Sequence, residues 1–162
     1  MNKGRPAIDA LQLGQVRHLF SSNDVSRIAQ VSLRQLQWWD ERGLISPHHE
    51  SHRRFYQPLE VLEILIMTEL RRKGLSLGKL RGTLRFLKRE IEPHIIRAAD
   101  DKTDLYLATD LKSFHLEQRA EGILQLFTKA RHPMFLVCVS DHLKRLASEK
   151  SSHAWGKQMR LF

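Results

Sequence analysis

Residues 31–44 read Val31-Ser32-Leu33-Arg34-Gln35-Leu36-Gln37-Trp38-Trp39-Asp40-Glu41-Arg42-Gly43-Leu44. Ser32 is a good N-cap residue, because its hydroxyl can accept from an orphan N–H of the first turn. Leu33, Leu36 and Trp39, with Trp38 beside them, follow at helical spacing, and Gly43 ends the helix. Just upstream, Phe20-Ser21-Ser22-Asn23-Asp24 opens an earlier helix. Ser21 or Ser22 can cap it, and Asp24 suits the positive end of its dipole. Val25 and Ile28 supply a short apolar face before the break at Val31-Ser32. Two short helices joined by a tight turn are the outline of a helix-turn-helix.

Downstream, Leu44-Ile45-Ser46-Pro47 leaves the helix in extended form, and His48 to Arg54 is polar and turn-like. Phe55-Tyr56 can return as a strand, so this stretch predicts a small hairpin, or wing. Pro58 suits the first turn of a further helix, whose core includes Val61, Leu62, Leu65, Ile66 and Leu70. Gly74 stops it, and Ser76 caps another. Leu77, Leu80, Leu84, Leu87 and Ile91 then recur at spacings of 3, 4, 3 and 4, a heptad seam. This seam is either the domain's own core or a dimer contact. Pro93 is expected to interrupt it, so a long coiled coil is not supported.

From Asp100 the texture changes. Asp100 to Asp104 reads as a polar linker, Leu105 to Ala108 as a strand and Ser113 to Leu116 as its antiparallel partner. Glu121 to Ala130 has helical spacing. Met134 to Val139 is a continuous apolar strand of the kind buried on both faces, and Asp141 caps a last helix. The predicted fold class is mainly α: an N-terminal winged helix-turn-helix domain, then a small α/β unit of order ββαβα. The expected divisions are an arm over 1–19, a DNA-binding domain over 20–99, the α/β unit over 100–149 and a basic tail over 150–162. The α/β unit has few residues with which to cover its sheet, so it is expected to dimerise or to dock on the first domain.

The chain has 162 residues, with 27 Lys and Arg against 18 Asp and Glu, a net charge of +9. Its composition, 41% apolar and 28% charged, is that of a globular protein. No apolar run is long enough to span a bilayer, and Met1 to Pro6 leads into no secretory signal, so a soluble, cytoplasmic protein is expected. A single cysteine, Cys138, excludes an internal disulfide framework and a thiolate metal cage, and it reads as a small core residue. Eight basic residues lie between Arg71 and Arg89 with no acid among them. A face made for solubility mixes both signs, so this run points to phosphate.

Three blocks together resemble the DNA-binding domain of the MerR family of transcription regulators. They are Val31 to Leu44, the wing segment Arg54-Phe55-Tyr56-Gln57-Pro58-Leu59-Glu60-Val61, and Gly74-Leu75-Ser76-Leu77. The resemblance implies a recognition helix at about 32–42 in the major groove and a wing at 46–56 on the DNA backbone. It also implies a homodimer on a pseudo-palindromic operator. Candidate DNA contacts on the helix are Arg34, Gln35, Gln37, Trp38, Trp39 and Arg42. One of the two tryptophans is expected in the core and the other at the backbone, where an indole N–H donates to phosphate. Arg53, Arg54 and Tyr56 are the wing candidates, with Tyr56 expected mainly to pack. Arg71, Arg72, Lys73 and Lys79 flank the turn that acts as a second backbone clamp. Three departures stand out. Gln37 replaces the family's arginine and can instead read adenine. Gln30 replaces a glycine, which suggests a different turn, and the wing lacks its customary glycine. No long dimerisation helix with effector cysteines follows, so metal-thiolate and iron–sulphur sensing are not expected.

His48, His49 and His52 cluster on the wing, but their spacing is not that of a helix-borne zinc site. No metal, cofactor or enzymatic activity is expected, since no nucleophile–base set or paired carboxylates converge. The C-terminus, Gln158-Met159-Arg160-Leu161-Phe162, looks like the short peptides that dock on the bacterial sliding clamp, although a frayed tail is the simpler reading. The expected partners are double-stranded DNA and a second copy of the chain, with RNA polymerase and the clamp as further candidates and no membrane. The leading function is therefore a sequence-specific regulator of transcription in the bacterial cytoplasm, associated with the nucleoid when bound. The alternative is a DNA-binding adaptor, such as an autoregulating antitoxin, whose C-terminal unit binds a protein partner.

Overall fold

The computed structural model describes residues 19–158, with side chains described for 19–149. The expected arm over 1–18 and the C-terminal peptide lie outside the residues so described. Two compact units form, and they do not follow chain order. One gathers the described residues up to Leu65 with those from His142 onward, and the other is Ile66–Asp141. Among the described residues no helix is long and apolar enough to cross a membrane.

In the first unit, strand β1 (Phe20–Ser21) leads into helix α1 (Ser22–Ala29), and α2 (Leu33–Glu41) follows. Strands β2 (His48–Glu50) and β3 (Arg53–Tyr56) form the wing, and α3 (Pro58–Arg72) begins here. The sheet is antiparallel in the order β1-β3-β2, with Phe20 opposite Tyr56 and Glu50 opposite Arg53. A capping box starts α1: Ser21 Oγ accepts from the Asp24 N–H, and the Asp24 carboxylate accepts from the Ser21 N–H. The expected different turn at Gln30 is corrected. Gln30 takes φ 54° and ψ 48°, the left-handed geometry that a glycine adopts without strain. The turn is kept and its residue is not. Val25, Ile28, Leu36, Trp39, Val61 and Leu62 fill the core of this unit. The C-terminal helix α6 (Val139–Gln158) returns to it, where Arg145 donates to the Ile28 carbonyl and Arg27 pairs with Glu149 at 2.7 Å. Leu143 and Leu146 are buried there.

The second unit contains the end of α3, the 25-residue helix α4 (Leu77–Asp101) and strands β4 (Tyr106–Thr109) and β5 (Phe114–Glu117). Helix α5 (Ala120–Lys129), strand β6 (Phe135–Cys138) and the first turn of α6 complete it. Several expectations change here. Pro93 does not break its helix. It lies exposed inside α4, and the buried face on either side, Ile91, Ile95 and Ala98, carries the helix past it. A proline removes one ladder bond, which this continuous burial offsets. Ser76 holds the N-cap position with extended backbone, yet its side chain makes no cap bond. The heptad seam is core: Leu80, Leu84, Leu87 and Ile91 are each at most 3% exposed within the single chain.

The second sheet has the order β5-β4-β6, entirely antiparallel, so β6 is an edge strand. Only Val137 of that strand is buried, and the expectation of burial on both faces fails because β4 occupies the centre. Cys138 is half-buried rather than in the core, and desolvation raises its thiol above the ordinary cysteine range. Asp141 lies in the first turn of α6 and not at its cap. Strand β6 runs straight into that helix, where Ser140 Oγ accepts from the Leu105 N–H at 2.8 Å.

Candidate nucleic-acid interface

Helix α2 has two faces because Leu36 and Trp39 recur at a spacing of three. Both point inward, 1% and 3% exposed. Arg34, Gln35, Gln37, Trp38 and Arg42 are left on the solvent side. The start of the helix is fixed reciprocally: Ser32 Oγ accepts from the Gln35 N–H at 3.1 Å, and Gln35 Oε1 accepts from the Ser32 N–H at 3.0 Å. Gln35 thus has a structural task. Gln37 Nε2 donates to Glu41 Oε1 at 2.8 Å, and the Arg42 guanidinium lies 5.0 Å above the Trp38 ring. The tryptophan pair divides, with Trp39 in the core and Trp38 at the surface.

Two residues, Ser51 and His52, connect the wing strands, with φ of 46° and 65°. Positive φ at both central positions is the type I′ turn that matches the twist of a hairpin, made here without glycine. Arg53 is exposed beyond it. Arg54 Nε donates to Asp40 Oδ2 at 2.6 Å, and His49 Nε2 lies 3.0 Å from the same oxygen. Asp40 therefore ties the end of α2 to both wing strands. The first turn of α1, the polar side of α2 and the wing border a cleft of about 620 Å³, lined by Asn23, Gln37, Arg53 and Arg54 among others. Tyr56 is fully buried, so it packs the wing and is corrected as a surface contact. Its burial raises the phenol above the ordinary range, against a smaller opposing pull from Ser22. Trp39 is corrected in the same way.

In the second unit, Arg71, Arg72, Lys73 and Lys79 are all exposed around the turn at Gly74. Arg71 Nη1 donates to the Leu75 carbonyl at 3.4 Å, and Lys73 Nζ lies 3.5 Å from Glu69 Oε1. Such contacts orient the side chains while their charge faces water.

Residues 20–87 match the MerR HTH family regulatory protein. This segment is a MerR-family domain. The match takes in both helices, the wing, α3 and the first part of α4, so it covers the surfaces just described. No curated protein matches the chain. Regulators of the MerR family act on DNA and are generally not enzymes, and the chain is accordingly a DNA-binding regulator of transcription.

Sequence reasoning did not single out Asp40 or His49 as partners of Arg54. The available signal was the acid after the tryptophan pair, at the end of the motif. What it bonds to lies 14 residues away, beyond local periodicity.

Proposed function

We propose that the chain is a sequence-specific regulator that binds as a homodimer to a pseudo-palindromic operator. In this reading α2 enters the major groove. Arg34 and Gln37 meet base edges, and Trp38 and Arg42 meet the backbone. Arg53 and Arg54 grip phosphates from the wing, and Arg71, Arg72, Lys73 and Lys79 add backbone contacts from the second unit. Residues 20–99 carry these contacts and residues 100–149 hold the second copy. The protein works in the bacterial cytoplasm at the nucleoid, with RNA polymerase as its neighbour on a promoter. One observation carries the reading: α2 buries Leu36 and Trp39 and presents only its polar side beside the two wing arginines.

The test is a titration against DNA from the gene's own upstream region, with excess random competitor at near-physiological salt. A discrete complex that survives, with two protected half-sites about one helical turn apart, is the expected result. Arg34→Ala then weakens operator binding by about 10–100-fold, the cost of about 1–3 kcal/mol for a base-reading arginine. A complex that dissolves into the competitor overturns sequence specificity and leaves a backbone binder.

A further inference from the structure

The two faces of the second sheet are covered unequally. Side chains alternate along the paired strands, so Leu107, Val137 and Phe114 share one face while Tyr106 and Leu136 share the other. The first face is closed by α4: Phe114 stacks on Phe86 with ring centroids 5.3 Å apart, and its ring lies 3.2 Å from where a side chain on Gly82 would begin. Helix α5 lies against β5 on the second face, where Gly122 leaves room for the Glu117 carboxylate. It covers that face only in part. Tyr106 and Leu136 form the floor of a groove of about 850 Å³ whose wall is Ile123, Leu124 and Phe127 of α5.

No residue of α5 is buried, and Leu124 and Phe127 are 68% and 41% exposed. A small ligand would be mostly enclosed by its pocket. With Leu124 so open, this groove instead suits something with a second apolar flank. The heptad seam of α4 is spent within the chain, so it cannot supply a dimer contact. Charge identifies the occupant. Asp104 lines the groove, and its neighbour Thr103 lies 3.3 Å from the Gln118 side chain, two residues ahead of α5. The acidic end of the groove is therefore the N-terminal end of α5, and the other end of the helix carries Lys129. A second α5 laid antiparallel brings its lysine to that acid, and the two helix dipoles then oppose.

We propose that two copies of this chain pair through α5, each helix filling the other's groove about a two-fold axis. Leu124 and Phe127 form the apolar centre, and Lys129 of each copy meets Asp104 of the other. Such an interface is self-complementary and closes at two copies. This deepens the homodimer of the proposed function and rests on that reading.

Sedimentation of the full chain between 1 and 100 µM (concentrations on the order of a transient dimer's dissociation constant) tests it. The chain is expected to be a dimer, and Leu124→Glu with Phe127→Glu is expected to raise the dissociation constant about 100-fold or more. Circular dichroism confirms that the folded content is unchanged. Asp104→Lys and Lys129→Asp each weaken pairing about 10-fold, and mixing the two single variants restores about half of the contacts as a mixed dimer. A chain that stays monomeric at the highest concentration overturns the proposal, as does a dimer indifferent to all of these changes. Binding of each variant to a duplex with one half-site is measured in parallel. If the dimer behaves as expected and no duplex is bound, the DNA reading fails and the interface stands. If a monomeric chain binds the duplex specifically, the interface fails and the DNA reading stands.

Discussion

Helices α2 and α5 have nine and ten residues and leave opposite chemistry exposed. The first starts in a capping box, buries Leu36 and Trp39, and turns arginine, glutamine and an arginine-covered tryptophan to solvent. The second starts at Arg119 with no side-chain cap, buries nothing, and turns leucine and phenylalanine to solvent. Short helices depend on tertiary packing for most of their stability. Helix α2 obtains that packing within the chain, so its outer face is available to a polyanion. Helix α5 does not, so its outer face is the part of the fold still to be buried. Exposure has a different meaning in each place.

The largest effect that would break this contrast is at Trp39. Trp39→Ala is expected to cost about 3–5 kcal/mol in denaturant unfolding. Trp38→Ala is expected to stay within about 1 kcal/mol while weakening DNA binding. Equal costs for the two would mean that α2 does not divide its faces as described. Next is the turn between the first two helices. Gln30→Gly relieves a left-handed backbone and is expected to stabilise by about 1 kcal/mol, read as a higher Tm. A lower Tm would show that the glutamine side chain contributes more than the backbone strain costs. Giving α5 the cap that α2 has should narrow the difference: Arg119→Ser adds an N-cap acceptor worth about 0.5–1 kcal/mol. No gain would mean that α5 is already held at that end.

The smallest effect lies in the turn between β4 and β5. There the Ser113 N–H and hydroxyl donate to Asp110 at 2.6 and 2.8 Å and hold its carboxyl down at about 2. The folded value lies below the unfolded one. Its contribution is therefore complete above about pH 4 and is lost as pH falls toward 2. A carboxyl titration followed by NMR checks this, and a midpoint at the ordinary value near 4 would refute it.

The local signals explain why the helix-turn-helix could be read from residues alone. Ser32, Gly43 and the pair Leu36 and Trp39 act within one or two turns of each other. Where the physics was not local, the reading fell short. Gln30, Ser51 and His52 hold glycine-like conformations without being glycine, so composition hid both turns. Pro93 is carried by burial on either side of it, and periodicity there was outweighed by the rule against proline. Strand β6 is apolar without being central, because its rank in the sheet depends on which strand pairs with β4. At the candidate site, the arginines were legible as charge, but the Asp40 carboxylate that orients Arg54 required the wing to be folded first.

The return of α6 to the first unit has a further consequence, for synthesis. Arg145 and Glu149 reach back to Ile28 and Arg27, and the pairing of Arg27 with Glu149 spans 122 positions. While the chain is being made, the DNA-reading helices emerge early and their last supports emerge late. Domains tend to complete as units during translation. This one must wait until the inserted second unit has been made, so a nascent chain stopped before His142 would display its recognition helix without the helix that braces it.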